Sequence, residues 1–497
     1  MTDSSKRNIG AKVRRGIKWS VLERVGLQLL HTIFGIALAR ILLPEDFGLI
    51  AMLAVFTAVA NYISDGGLSQ ALVQKKNPSE TDTSTIFFFN ITVGFSLALT
   101  VFLCSPLVAA FYEEPRLTSL LRALSVNIIL TSLTNVQTWM LNKRLEFKVQ
   151  FVAKMIATIV SSAIALVMAT SGYGPWSLVV QSLALNGINS ALIWAWSGWR
   201  PSFCFSFESL RSMLKFSVYL FISGQLNVIC TEAYNVIVGK LFSATQLGLF
   251  ARARQTQGIP TNAISNLLHR ISFPAFSMIQ DDPAFQIRAV RKSLRTIAFF
   301  HFPIILGLAA TSESVVELLL TSKWSESAPL LTLFCFAGIL TPTISTHVSL
   351  MLSTGDSKSS LKFSLLKNII RGTLLSFTWM WGLEGLIYGE IFFSIVSYLI
   401  HSHKTSQILS FSVLKQFSIK APYLIAAGMM YACVYLLTPY LVGNLAAILA
   451  SQILVGAIVY LALCHALRLQ AYRECRDLAL GKLENLWNRR NRNVDSE

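Results

Sequence analysis

Ala39-Arg40-Ile41-Leu42-Leu43-Pro44-Glu45-Asp46-Phe47-Gly48-Leu49-Ile50 has a counterpart two hundred residues downstream, Lys240-Leu241-Phe242-Ser243-Ala244-Thr245-Gln246-Leu247-Gly248-Leu249-Phe250. Each stretch closes an apolar run with a basic residue, makes a short polar turn, and opens the next run with an apolar-Gly-Leu step. Upstream, Lys18-Trp19-Ser20 pairs with Lys215-Phe216-Ser217. Downstream, Gly172-Tyr173-Gly174 pairs with Gly382-Leu383-Glu384-Gly385. Three matches in the same order argue for an internal duplication, a common plan in membrane transporters.

The runs joined by these turns are too apolar for a soluble chain. Of 497 residues 53% are apolar and 13% charged, and the charged share is about half that of an average soluble domain. At about 20 residues per spanning helix, this composition furnishes on the order of a dozen spans. It excludes a soluble enzyme, a nucleic-acid reader and a disordered scaffold. The net charge of +17 is read as positive charge held on the cytoplasmic side of a membrane, with no nucleic-acid partner. Seven cysteines without CxxC or CxxH spacing give neither a disulfide framework nor a metal site.

Hydropathy places fourteen runs near 17–42, 47–64, 85–111, 117–141, 150–170, 175–197, 212–239, 247–268, 296–312, 327–353, 363–381, 385–401, 420–438 and 444–466. Odd connections, such as Tyr112-Glu113-Glu114-Pro115-Arg116, are short and poor in Lys and Arg. Even connections, including those with Lys358, Lys362 and Lys367 and with Lys404, Lys415 and Lys420, and both tails carry 32 of the 42 basic residues, which puts both termini on the inner, cytoplasmic side. The expected fold is an all-α polytopic membrane protein of about 14 transmembrane helices. Its parts are a basic tail over 1–16, a six-helix lobe over 17–200, a second six-helix lobe over 211–403, two further helices over 420–466, and an amphipathic basic tail over 467–497. Six spans separate the copies, so the lobes share an orientation and are expected to flank a central cavity lined by spans one, two, seven and eight.

A charge within the bilayer normally faces a cavity or a partner. Arg24, Arg252, Arg254 and Arg371 are candidates for a cationic substrate site, because the guanidinium fork suits phosphate. Glu23, Glu232 and Glu390 are candidates for ion coupling or for pairing the lobes. Arg40, Arg122 and Lys154 lie near span ends and are read as snorkelling. The scattered His31, His269, His301 and His347 are read as core or interface residues. His401 and His403 lack neighbours for a metal, and Trp194, Trp196 and Trp199 form an interfacial belt. No motif for a catalytic site or a cofactor stands out.

The segment 39–49, Ser64-Asp65-Gly66-Gly67-Leu68 with Ala71-Leu72-Val73-Gln74, and Leu247-Gly248-Leu249-Phe250-Ala251-Arg252-Ala253 resemble the polysaccharide transporters (Wzx-like flippases) of the multidrug/oligosaccharidyl-lipid/polysaccharide exporter superfamily. The nearest branch is the colanic-acid-exporter-like group. The third motif departs from the family in having Phe250 and Ala251 where Tyr and Asn are usual, while Arg252 matches. The resemblance implies a flippase that moves an undecaprenyl-diphosphate-linked oligosaccharide across a bacterial inner membrane by alternating access, for exopolysaccharide, capsule or O-antigen synthesis, with a polysaccharide polymerase as a partner. In lipid II flippases of the same superfamily, arginines on spans one and eight line the cavity, and Arg24 and Arg252 lie on the corresponding spans. A cation-coupled drug exporter would favour an acidic cavity. A membrane glycosyltransferase or polymerase would need a large outer loop, and none here exceeds about 16 residues.

Overall fold

The computed structural model describes residues 26–66, 72, 78–144, 146–279, 282–353 and 357–477. Its regular structure is helical, with no strand among the described residues. It falls into two compact units, Met1–Ala251 and Arg252–Glu497. The first holds α1 (Gly26–Ile41), α2 (Pro44–Asp65), α3 (Glu80–Tyr112), α4 (Arg116–Ser132), α5 (Asn135–Lys143), α6 (Phe147–Thr170), α7 (Trp176–Trp196) and α8 (Phe207–Leu241). α9 (Ala244–Met278) runs through the boundary. The second unit continues with α10 (Pro283–Ala310), α11 (Ser312–Leu320), α12 (Ser327–Gly338), α13 (Thr341–Ser353), α14 (Ser357–Thr378), α15 (Gly382–Leu409), α16 (Val413–Leu437) and α17 (Leu445–Ala466).

Among the described residues, ten stretches are long and apolar enough to cross a membrane, so this criterion does not reproduce the fourteen spans expected. One of the ten, Lys362–Leu409, is 48 residues long, twice what one crossing needs. It bends at Gly382, whose φ of 79° lies in the region glycine tolerates best. α1 is apolar but short. α8 and α9 are 35 residues each, yet they carry several of the intramembrane charges and fall outside the ten. Two expected spans are each made of two helices. α4 gives way to α5 where Thr131, Ser132 and Thr134 hydroxyls bond back to carbonyls three or four residues earlier, a habit that loosens a helix. α12 ends just before Thr341-Pro342, where proline withholds an amide donor.

In the first unit, α6 lays a buried stripe of Ala153, Ala157, Ser161, Ala165 and Ala169 against α7 and α1. Small residues at every fourth position let backbones approach where lipid gives no hydrophobic drive. α8, expected to open the second lobe, packs on α2 and α3 within the first unit. Its Gly224 sits under Tyr62, and its Gly239 under Met52 and Tyr112. The compact units divide at Ala251/Arg252. In the second unit α15 packs on α12, α13 and α14, and α10 packs on α16 and α12.

Candidate functional site

The second unit holds an open-sided cavity of about 280 Å³, lined mainly by α13, α14 and α15, with Ala337 of α12 at one wall. α15 contributes Glu390, Phe393, Ser394 and Ser397, spaced three and four apart and hence on one face. α13 contributes Thr341, Ile344, Ser345 and Val348 with the same spacing, and α14 contributes Lys367 and Arg371, one turn apart. Arg371 Nη2 donates to Glu390 Oε1 at 2.6 Å. Its guanidinium carbon lies 4.4 Å from the centre of the Phe393 ring, so packing and charge both fix it. The Ser394 hydroxyl is buried with no hydrogen-bond partner among the described residues. Two cations and one carboxylate in the lining give the cavity a net charge of about +1. A cation at mid-helix in a membrane costs about 2.5–3.5 kcal/mol on insertion scales, and Glu390 offsets only one of the two.

The candidate residues read from sequence are spread over both units. Arg371 and Glu390, assigned there to different roles, form one ion pair. Arg252, 8% exposed, donates to Gln255 Oε1 at 3.1 Å. Arg254 is half-buried on α9. Glu232 accepts from Asn235 Nδ2 at 2.8 Å. Glu23 and Arg24 lie outside the described residues. Sequence reading missed Lys367, which it counted among the basic residues of an inner rim; its four-residue spacing from Arg371 is the signal that would have found it. It also placed Lys420 on that rim, but Lys420 is buried, with its amine 3.7 Å from the centre of the Tyr398 ring.

The duplicated turns meet inside the first unit. In the first, Asp46 Oδ2 accepts the Leu43 amide at 2.9 Å. In the second, Ser243 Oγ accepts the Gln246 amide at 3.1 Å and Gln246 Oε1 accepts the Ser243 amide at 3.2 Å, a reciprocal cap. Each helix places a glycine four residues after its first position. A Cβ on Gly48 would lie 1.7 Å from Ala244 O, and one on Gly248 would lie 1.8 Å from Pro44 O. Each helix thus seats its first carbonyl on the glycine of the other, an approach closed to any residue with a Cβ. Around this contact Arg116 pairs with Glu45 and, at 2.7 Å, with Glu114, and Lys240 pairs with Glu113 at 2.7 Å. The hydrogen bond from Lys240 holds the Glu113 carboxyl below the usual carboxylate range, and the one from Arg116 does the same to Glu114.

Residues 37–329 match the model of a family described as polysaccharide biosynthesis protein. The chain belongs to the polysaccharide biosynthesis protein family. That agrees with the resemblance carried by the duplicated segment. The chain is 23% identical over 490 residues to the teichuronic acid biosynthesis protein TuaB of Bacillus subtilis (strain 168), covering 96% of this chain and 99% of that one. It is 27% identical to the lipopolysaccharide biosynthesis protein WzxC of Escherichia coli (strain K12), covering 72% and 73%. Its fold is that of the lipid II flippase MurJ in an inward closed conformation, with a TM-score of 0.76 at 16% identity over 92% of this chain and 99% of that one. A member of the polysaccharide biosynthesis protein family with this fold is a multi-pass membrane protein.

Proposed function

We propose that this protein is a flippase that carries a polyprenyl-diphosphate-linked oligosaccharide from the inner to the outer face of a bacterial inner membrane. It would supply assembly of a surface polysaccharide without making or breaking a covalent bond. The observation that carries this reading is the cavity holding Lys367 and Arg371 within a body of membrane-length helices, in a chain of the polysaccharide biosynthesis protein family. A lipid-linked, anionic cargo suits both features, since the helices give the tail an apolar surround and the cations favour negative charge on the cargo. The relatives support it by their names, which include lipopolysaccharide biosynthesis and a lipid II flippase. A drug exporter of cationic compounds fits less well, because the cavity lining holds two cations and one carboxylate.

Arg24 and Arg252 are proposed to meet the diphosphate, with Arg254 adding positive charge, while Arg371, paired with Glu390, is proposed to serve the cargo through the smaller cavity that it lines with Lys367. In cells whose polymer export depends on this protein, the double change Arg24→Ala, Arg252→Ala should abolish export while leaving the protein at its normal level in the membrane. Arg252→Lys should restore only part of it, because a point charge keeps the attraction and loses the fork. Full export by the double variant at normal expression would remove these two arginines from the site.

A further inference from the structure

The cavity between α13, α14 and α15 is small for a ligand site. At about 280 Å³ it lies below the usual range for drug-sized ligands, so it suits one sugar residue or one charged group rather than a lipid-linked chain. It lies well within the helices. Lys367 and Arg371 are ten and fourteen residues from the start of α14, about 15 and 21 Å along its axis.

We propose that this cavity is a subsite for one oxyanion carried on a sugar residue of the transported chain, a carboxylate or a phosphate. The inference rests on the flippase reading and adds to it a preference for acidic saccharides.

Three observations carry it. First, the charges do not balance. Arg371 is neutralised by Glu390 at 2.6 Å, and Lys367 adds a second cation on the same face of the same helix. Like charges four residues apart on a helix repel, so this arrangement suits a ligand that supplies the missing negative charge. Second, the wall opposite is hydroxylic. Thr341, Ser345, Ser394 and Ser397 line the cavity, and Ser394, 7% exposed, has its hydroxyl buried with no partner among the described residues. Hydroxyls donate to an oxyanion and exchange hydrogen bonds with sugar hydroxyls. Third, Phe393 holds the guanidinium over its ring, which fixes the ion pair in one place and leaves Lys367, on a flexible stem, to reach the ligand.

The test is the thermal unfolding midpoint of the purified full chain in detergent, with sodium glucuronate, glucose 6-phosphate or glucose at equal concentration and matched ionic strength. A ligand that binds the folded form raises the midpoint. Glucuronate, glucose 6-phosphate or both should raise it and glucose should not; which of the two acts identifies carboxylate or phosphate as the source. Lys367→Gln should abolish the rise and Lys367→Arg should keep it, which separates lost charge from lost folding. An equal rise with glucose, no rise with either oxyanion, or an unchanged rise in Lys367→Gln would overturn the subsite. The flippase reading is judged separately: if polymer export persists in cells lacking the protein, that reading falls whatever the midpoints do.

Discussion

Glu390 is the residue on which the charges of the second unit turn. It is 19% exposed at the side chain and accepts from Arg371, with Lys367 lining the same cavity. Removing one partner of a fully buried pair costs about 3–5 kcal/mol, and this part-buried pair should lose less. The two partners should not be equal here. In Arg371→Met, Lys367 can swing to Glu390 and restore a pair. In Glu390→Gln, two cations on one helix face lose the carboxylate of their cavity. Glu390→Gln should therefore lower the unfolding midpoint of the purified protein more than Arg371→Met, and the double variant should recover most of the loss. If Arg371→Met proves as harmful as Glu390→Gln, the two cations do not share that carboxylate. At this scale the sequence showed which residue types were out of place in a membrane. It could not show that Arg371 and Glu390 belong together, because they lie nineteen residues apart on separate helices.

Between elements, the contact of α2 with α9 makes the most specific claim. Gly48 and Gly248 were legible as a repeated step, and only the packing revealed that each receives the first carbonyl of the other helix. In an isolated helix, Gly→Ala is favourable by about 1 kcal/mol, so any loss from Gly48→Ala or Gly248→Ala must come from this contact. Spin labels at Leu43 and Thr245 should report one short distance in the parent protein and a longer, broader distribution in either variant. An unchanged distribution in both would mean that the close approach is not what holds the turns together. The ion pairs around it give a pH signature. Glu113 and Glu114 are held below the usual range, so their contribution is present above the free carboxylate value of about 4.3 and is lost as pH falls through the depressed values. The distance should hold from pH 8 to about 5 and broaden only below about 4. Because the pairs are exposed, the change should be modest and should shrink in salt. Broadening between pH 8 and 6 would point to another titrating group.

For the whole molecule, topology is the expectation that the amino-acid sequence argues best. If 32 of the 42 basic residues mark the cytoplasmic side, a reporter active only in the periplasm and fused after Glu497 should stay silent, and one placed at Glu113 should be active. A bright signal at Glu497 would reverse the scheme. The sequence by itself determined the membrane habit, the helical class and the family resemblance. Each of these follows from composition or from short-range pattern, and lipid forces unsatisfied backbone into helices whatever the packing. Only the tertiary structure decided that α8 packs with the first unit, that two expected spans are each made of two helices, that Lys420 is buried under a tyrosine ring, and that Lys367, Arg371 and Glu390 share one cavity. Hydropathy marks a charge as costly, but its partner is chosen by how separate helices are rotated against one another, and that rotation is set by packing between segments distant in the chain.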